Sequence, residues 1–322
     1  MSVSTVSPFV IARASVVAVE RVSPTFARIT FGGDALFDFG TPGAVLDQRL
    51  KLIFPAPGRP LPVIPEGDWY QAWLAVPDEE RGSMRTYSIR DLDVDAEGTR
   101  LVIDFVLHLE PGLTGPAATW ASTAAVGDEL LVIGPRRGRE GGGGIEYSPG
   151  DAREILLAGD ETAAPAIARI LEDVDRDAVG VAFIEVPEAA DALPISAPPG
   201  IEVRWLPRGA RAHGEALIPA VLGFLGADDR PDADRPITEQ PSSDQPSTAE
   251  LAADALLWET PVYSGLGETL PTAATTADRY YWIAGESGVV TTLRRHLVRD
   301  LGIDRAQVAF MGYWRHGVAM KG

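Results

Sequence analysis

The sequence predicts two domains of different class: an N-terminal antiparallel β-barrel, then an α/β domain built on a parallel sheet. The chain has 322 residues, more than one hydrophobic core usually organises. Residues 9–134 hold short β-branched and aromatic runs broken by Gly and Pro, with little helical pattern between them. Beyond about residue 150, strand-length and helix-length runs alternate, as in parallel strands joined by crossover helices. The domains are accordingly set at 1–150 and 151–322.

The barrel strands are read at Ser15–Glu20, Ala27–Phe31, Leu50–Phe54, Met84–Ile89, Leu101–Leu107 and Glu129–Ile133. These runs, with a single helical insert at Pro116–Thr123, suit a small closed barrel. Pro135–Gly150, with four consecutive glycines, is a flexible connection. In the second half, strands are expected at Glu154–Ala158, Val179–Val186, Glu202–Leu206, Arg279–Ala284 and Gln307–Phe310. Helices are expected at Glu161–Glu172, Gly214–Leu225 and Ser287–Leu301. Residues 227–250 are rich in Asp, Pro, Ser and Gln, cannot bury enough apolar surface to order, and are read as a disordered insertion.

Composition removes whole classes of function. The chain has no cysteine, so disulfides, thiolate metal sites and thiol catalysis are excluded. A net charge of −18 argues against nucleic acid as partner and requires any anion site to be locally basic. No run approaches the roughly 18–20 apolar residues of a membrane span, and the first residues lack a signal-peptide pattern, so cytoplasm is the expected compartment. Four histidines without ligand spacing argue against a protein-held metal. With no nucleophile elbow, Walker loop or HExxH, no side chain is assigned as catalytic, and the chemistry falls to a bound cofactor.

Several short stretches have the composition of a cofactor site. Arg85, Thr86, Tyr87 and Ser88 put a guanidinium, an aromatic ring and a hydroxyl on one strand. The guanidinium suits a phosphate and the ring a flavin, while the bland alternative is an exposed strand end. His108 and the Gly115–Ala121 segment offer a helix start for a diphosphate, or a tryptophan buried on a barrel-capping helix. Gly159–Ala166 (GDETAAPA) and Ala284–Gly288 are acidic, glycine-marked turns after parallel strands, where open α/β sheets bind ligands. Asp160 and Glu161 there also read as plain helix-start residues. Phe310–Gly317 pairs aromatics with a cation and suits either a flat anionic ligand or a docking tail.

Taken in order, DQRLKLIFP at 47–55, RTYSIR at 85–90, DFVLH at 104–108, GPAATWA at 115–121, GDETAAPA at 159–166, WIAGE at 282–286 and FMGYWRHG at 310–317 resemble the siderophore-interacting proteins. These are flavin-dependent ferric-siderophore reductases of ferredoxin-reductase-like fold. The resemblance implies FAD on the barrel, held by Arg85, Thr86, Tyr87, Ser88, Asp104, Val106, His108, Ala117, Ala118 and Trp120. It implies NADH or NADPH near Asp160, Glu161, Thr162, Ala284, Gly285 and Glu286. Electrons would pass to Fe(III) in a siderophore, releasing Fe(II), with Lys51, Arg315 and Arg136 holding the anionic chelate. Ala118 stands where the family pattern has Ser, so a phosphate contact there would come from backbone alone. Glu185, ending a strand, suits a ribose 2′-hydroxyl and inclines the reading to NADH; Arg208 and Arg211 suit a 2′-phosphate. Three alternatives stand beside this reading: a flavin reductase with another acceptor, a non-catalytic ferric-siderophore carrier, and a ferredoxin as electron donor.

Overall fold

The computed structural model describes residues 7–109, 114–139, 143–228, 257–260, 263–264 and 278–318. From position 229 on, the insertion predicted at 227–250 lies outside the described residues.

The first half comprises β1 (Phe9–Arg21), β2 (Phe26–Gly32), β3 (Arg49–Phe54), α1 (Trp69–Ala75), β4 (Ser83–Ser88), β5 (Asp91–Val94), β6 (Thr99–Val106), α2 (Pro116–Thr123) and β7 (Glu129–Pro135). The strands pair antiparallel in the order β4-β3-β7-β1-β2-β6-β5. Period-two alternation sets the inner face: Val10, Ala12, Ala14 and Val16 of β1 join Ile29, Phe31, Leu50, Leu52, Ile103, Phe105 and Val132 in one core. The sheet curls into a half-barrel rather than the closed barrel expected. β4 and β5 end the ladder, and Ile89 and Arg90 carry the chain from one edge to the other, donating to Gln48 O and Val102 O. Neither β5 nor α1 was expected from sequence. α1 carries Trp73 onto the outer face of β3, β4 and β7, where it joins Ile53, Leu61, Met84, Leu131 and Ile133. Gly82 makes β4 possible: its φ is +71°, and a Cβ there would stand 1.9 Å from Phe54 O.

The second half comprises β8 (Glu154–Gly159), α3 (Ala164–Asp173), β9 (Val179–Val186), β10 (Gly200–Pro207), α4 (Leu217–Asp228), β11 (Trp258–Thr260), β12 (Tyr263–Ser264), β13 (Arg279–Glu286), α5 (Ser287–Arg294) and β14 (Val308–Trp314). The order is β10-β9-β8-β13-β14-β11-β12, parallel through the first five strands. β11 and β12 add an antiparallel edge, so the sheet is mixed rather than wholly parallel. α5 runs on as a wider π-helical segment, Arg295–Asp300. α4 and α5 cover one face of this sheet. The other carries α3 and meets the half-barrel, with Phe26, Leu46 and Val106 in the same apolar cluster as Ile167 and Ile170. Strand order reverses between β8 and β13, which opens a crevice at their carboxyl ends. Among the described residues, no helix is long and apolar enough to cross a membrane.

Candidate functional site

The carboxyl ends of β8 and β13 are drawn together by one buried carboxylate. Asp160 accepts from Thr162 N at 2.9 Å, Thr162 Oγ1 at 2.5 Å, Glu286 N at 2.7 Å and Trp314 Nε1 at 2.9 Å. Gly285, at φ +137°, permits this approach, since a Cβ there would lie 2.6 Å from Asp160 Oδ2. Burial pushes the Asp160 carboxyl up and neighbouring Glu161 adds to the shift. Glu286 turns its own carboxylate onto Val289 N at 2.9 Å, capping α5, and takes His316 N at 3.3 Å. The structure thus gathers Asp160, Thr162, Ala284, Gly285, Glu286 and Trp314 at one point.

Glu161 is wholly enclosed. Arg208 forks onto it with two 2.7 Å bonds, and His108 Nε2, from just beyond the end of β6, lies 2.9 Å from its Oε1. Burial alone would raise its carboxyl; His108, His213 and Arg208 around it, with the Arg208 charge, outweigh burial and hold it well below the usual range. His108 and Glu161, read from sequence as parts of separate cofactor sites, therefore bond each other across the two halves. Arg208 is committed to Glu161, and Arg211 bonds the Arg208 and Pro207 carbonyls. Glu185 corrects the sequence reading. It is fully buried and takes Gly214 N, Ala216 N and Leu217 N at 2.8–3.1 Å, capping α4. It does not face a ribose, and the ground for preferring NADH goes with it.

On the half-barrel, Arg85 and Tyr87 share one face of β4. Tyr87 packs on Phe105 with ring centroids 4.7 Å apart. Arg85 donates to Met84 O at 2.7 Å, and among the described residues no carboxylate pairs with it. Burial lowers its pKa accordingly. Thr86 and Ser88 take the opposite face, where Lys51, paired with Thr86 in the ladder, donates to Thr86 Oγ1 at 2.8 Å. Burial, then the neighbouring Arg49 charge, lowers the Lys51 ammonium.

Other predicted residues are held by the fold itself. Asp104 is buried and gripped by Arg28 through two 2.7 Å bonds, with Arg90 at 3.8 Å. Val106 packs at the interface with α3. Trp120 stacks on Phe31 at 6.3 Å and meets Phe54 and Phe105, so its partly buried ring packs against the barrel core. Arg136 bonds Ser7 O, Phe9 O and Glu66. Arg315 is exposed on the turn after β14.

These residues fit a flavin dinucleotide on the half-barrel. Arg85 is a half-buried cation with no counter-ion among the described residues, a costly arrangement unless an anion joins it. Ala117 and Ala118 begin α2 behind Gly115, which supplies no side-chain cap, so first-turn N–H groups stay available to a phosphate. Sequence reasoning missed one feature of the site. Three of the four histidines, His108, His213 and His316, surround Trp314 with ring centroids 4.8–6.4 Å away. They come from three distant segments, so no local spacing could have shown it.

Comparison with known proteins agrees with this geometry. Residues 152–317 match the model of the siderophore-interacting protein family, and residues 15–139 that of the siderophore-interacting FAD-binding domain. An uncharacterized protein of Mycobacterium tuberculosis is 36% identical over 205 residues, covering 63% of this chain. The match spans 66% of that relative's length. Ferric vibriobactin reductase ViuB of Vibrio cholerae is 32% identical over 62% of this chain and 68% of its own. The NADPH-dependent ferric-chelate reductase of Escherichia coli K12 is 33% identical over 65% and 74%. Among solved structures, a siderophore utilization protein from T. fusca superposes with a TM-score of 0.66 at 29% identity, covering 97% of this chain and 95% of that one. The ferredoxin reductase of carbazole 1,9a-dioxygenase, at 18% identity and a TM-score of 0.54, shares the fold. The two family models fall in order on the half-barrel and on the α/β half that docks against it, and this chain belongs to the siderophore-interacting protein family.

Proposed function

We propose that this protein is an FAD-dependent reductase that takes electrons from NAD(P)H and reduces Fe(III) in a siderophore, releasing Fe(II) in the cytoplasm. Residues 1–150 form the flavin half and 151–322 the nucleotide half. The observation that carries the reading is the meeting of His108, at the end of the flavin sheet, with Glu161, at the carboxyl end of β8. It supports a reading in which the two cofactor regions lie side by side. A bound flavin supplies the conversion between a two-electron nicotinamide donor and a one-electron ferric acceptor.

The chain's own residues bind and orient. Arg85 and the first turn of α2 take the phosphates, while Tyr87, on the same face of β4 as Arg85, lies along the ring system, and Thr86 and Ser88 reach the cofactor through the strand's backbone and its opposite face. Thr162, Ala284 and Gly285 are small enough to admit a flat nicotinamide, with Trp314 fixed above them by Asp160. Lys51 and Arg315 hold the anionic chelate, giving local positive charge on a chain of net charge −18. Arg136, committed to Glu66 and to backbone, orders the N-terminal segment before it reaches substrate.

Anaerobic stopped-flow absorbance of the FAD-loaded protein tests this. NADH or NADPH should bleach the flavin, and a ferric siderophore should restore its colour as a ferrous trap reports Fe(II). A flavin reduced by nucleotide but not reoxidised by any ferric chelate would reject the substrate. Lys51→Ala should raise the KM for an anionic chelate about tenfold while leaving reduction by nucleotide unchanged, since one buried cation–anion contact is worth about 1.5–3 kcal/mol.

A further inference from the structure

His213 lies on the loop between β10 and α4, with its ring 4.8 Å from Trp314 and 6.0 Å from His316. Its Nε2 is buried and, among the described residues, has no partner within hydrogen-bonding distance; its nearest charged neighbour is Glu161. Glu161 Oε1 stands 3.6 Å away, beyond hydrogen-bonding distance, and already accepts from Arg208 and His108. A buried polar atom left unmatched in a cleft is a position for a ligand atom.

The charge around this nitrogen gives the ligand its sign. Asp160 and Glu161 face the cluster from β8, Glu185 from β9 and Glu286 from β13, while Arg208 is bonded into it from β10. On the loop of His213 itself, Glu215 takes Ala212 N and Arg211 turns to backbone carbonyls. Arg315 lies in solvent between Trp314 and His316. Carboxylates outnumber cations, so neutral imidazoles leave the cleft floor acidic and unsuited to an anion. Imidazoles as a class change charge between pH 5 and 8.

We propose that His213 is an anion gate of this cleft, donating from Nε2 to an anionic oxygen of the ligand and binding it tightly only when the ring is protonated. The inference rests on the reductase reading. The oxygen belongs either to the diphosphate of the nicotinamide nucleotide or to an anionic face of the iron chelate. The sign follows directly: affinity is highest at acid pH and falls as pH rises and the imidazolium is lost.

Calorimetric titration of the FAD-loaded protein at pH 6 and pH 8 tests the gate. The probes are NAD+, whose diphosphate does not titrate in this range, a redox-inert gallium tricatecholate, and a neutral gallium trihydroxamate as control. For wild type, affinity for one of the anionic probes should fall about tenfold between the two pH values, as one opposite charge at short range is worth, and the neutral probe should not respond. The probe that responds identifies which anion faces His213. His213→Asn should bind that anion weakly at both pH values, and His213→Lys, which keeps its charge, tightly at both. Should the asparagine variant fail to fold, the flat profile of the lysine variant carries the test. Tight wild-type binding that is independent of pH, or an asparagine variant with the wild-type slope, overturns the gate and leaves the reductase reading intact. Failure of every probe to bind overturns both.

Discussion

Glu161 stays ionised without any contact with water because Arg208 neutralises it and His108 completes its hydrogen bonding. Arg208→Met should therefore cost about 3–5 kcal/mol, the penalty of stranding a buried charge, read as a lowered urea midpoint. The pH dependence follows from sign. A carboxyl held well below its ordinary range contributes stability above its unfolded pKa of roughly 4.3, and that contribution is lost as pH falls through the folded value. Without the guanidinium the carboxyl protonates readily, so the variant's deficit should be larger at pH 7 than at pH 4. An equal deficit at both would show that lost packing, not charge, is the cause. The acidic turn at Asp160–Thr162 was legible in sequence as a strand-end feature. Glu161's partners were not, since His108 and Arg208 lie 53 and 47 residues away and reach it only once the sheets dock. Glu185 misled for the same reason: its donors come from 29 to 32 residues downstream.

Elements place these residues through close backbone approach. β8 and β13 converge at Gly285, where both a φ of +137° and the 2.6 Å distance to Asp160 exclude a side chain. Gly285→Ala should destabilise the protein by about 1–3 kcal/mol, the cost of one residue held in a disfavoured region. By displacing Asp160 it should also loosen Trp314 and weaken nucleotide binding, in thermal unfolding and in titration alike. Unchanged nucleotide affinity in a destabilised variant would confine Asp160 to a structural role. Runs of β-branched and aromatic residues located six of the seven half-barrel strands, though β1 begins six residues earlier, at Phe9, and α2 falls on the predicted span, Pro116–Thr123. α1 and β5 escaped because a seven-residue helix and a four-residue strand are too short for periodicity to declare. β11 and β12 escaped because three-residue and two-residue strands beside a polar insertion carry even less pattern.

At the scale of the molecule, buried carboxylates join the halves. Asp191 accepts from Ser23 Oγ at 2.6 Å and from Thr25 N and Oγ1 at 2.8 and 2.9 Å. Asp173 takes Val45 N and Leu46 N at 2.8 Å, and Asp47 takes Trp282 Nε1 at 2.9 Å. Arg90 forks onto Glu172 of α3 at 2.7 and 2.8 Å. With Phe26 and Val106 packed into the α3 cluster, separating the halves would expose apolar surface on both. Cofactor regions that must exchange electrons gain from such an interface, because it fixes their spacing without requiring domain closure. The wild-type protein should therefore unfold in one calorimetric transition whose van't Hoff and calorimetric enthalpies agree. Asp191→Ala strands two hydroxyls and a backbone N–H at the interface, at about 1–3 kcal/mol for each group left unsatisfied. In combination with Asp47→Ala it should split the transition in two, the α/β half retaining its cooperative melt. Two transitions already in the wild type would mean the halves are held by the bound cofactor rather than by these carboxylates, and adding FAD would then merge them.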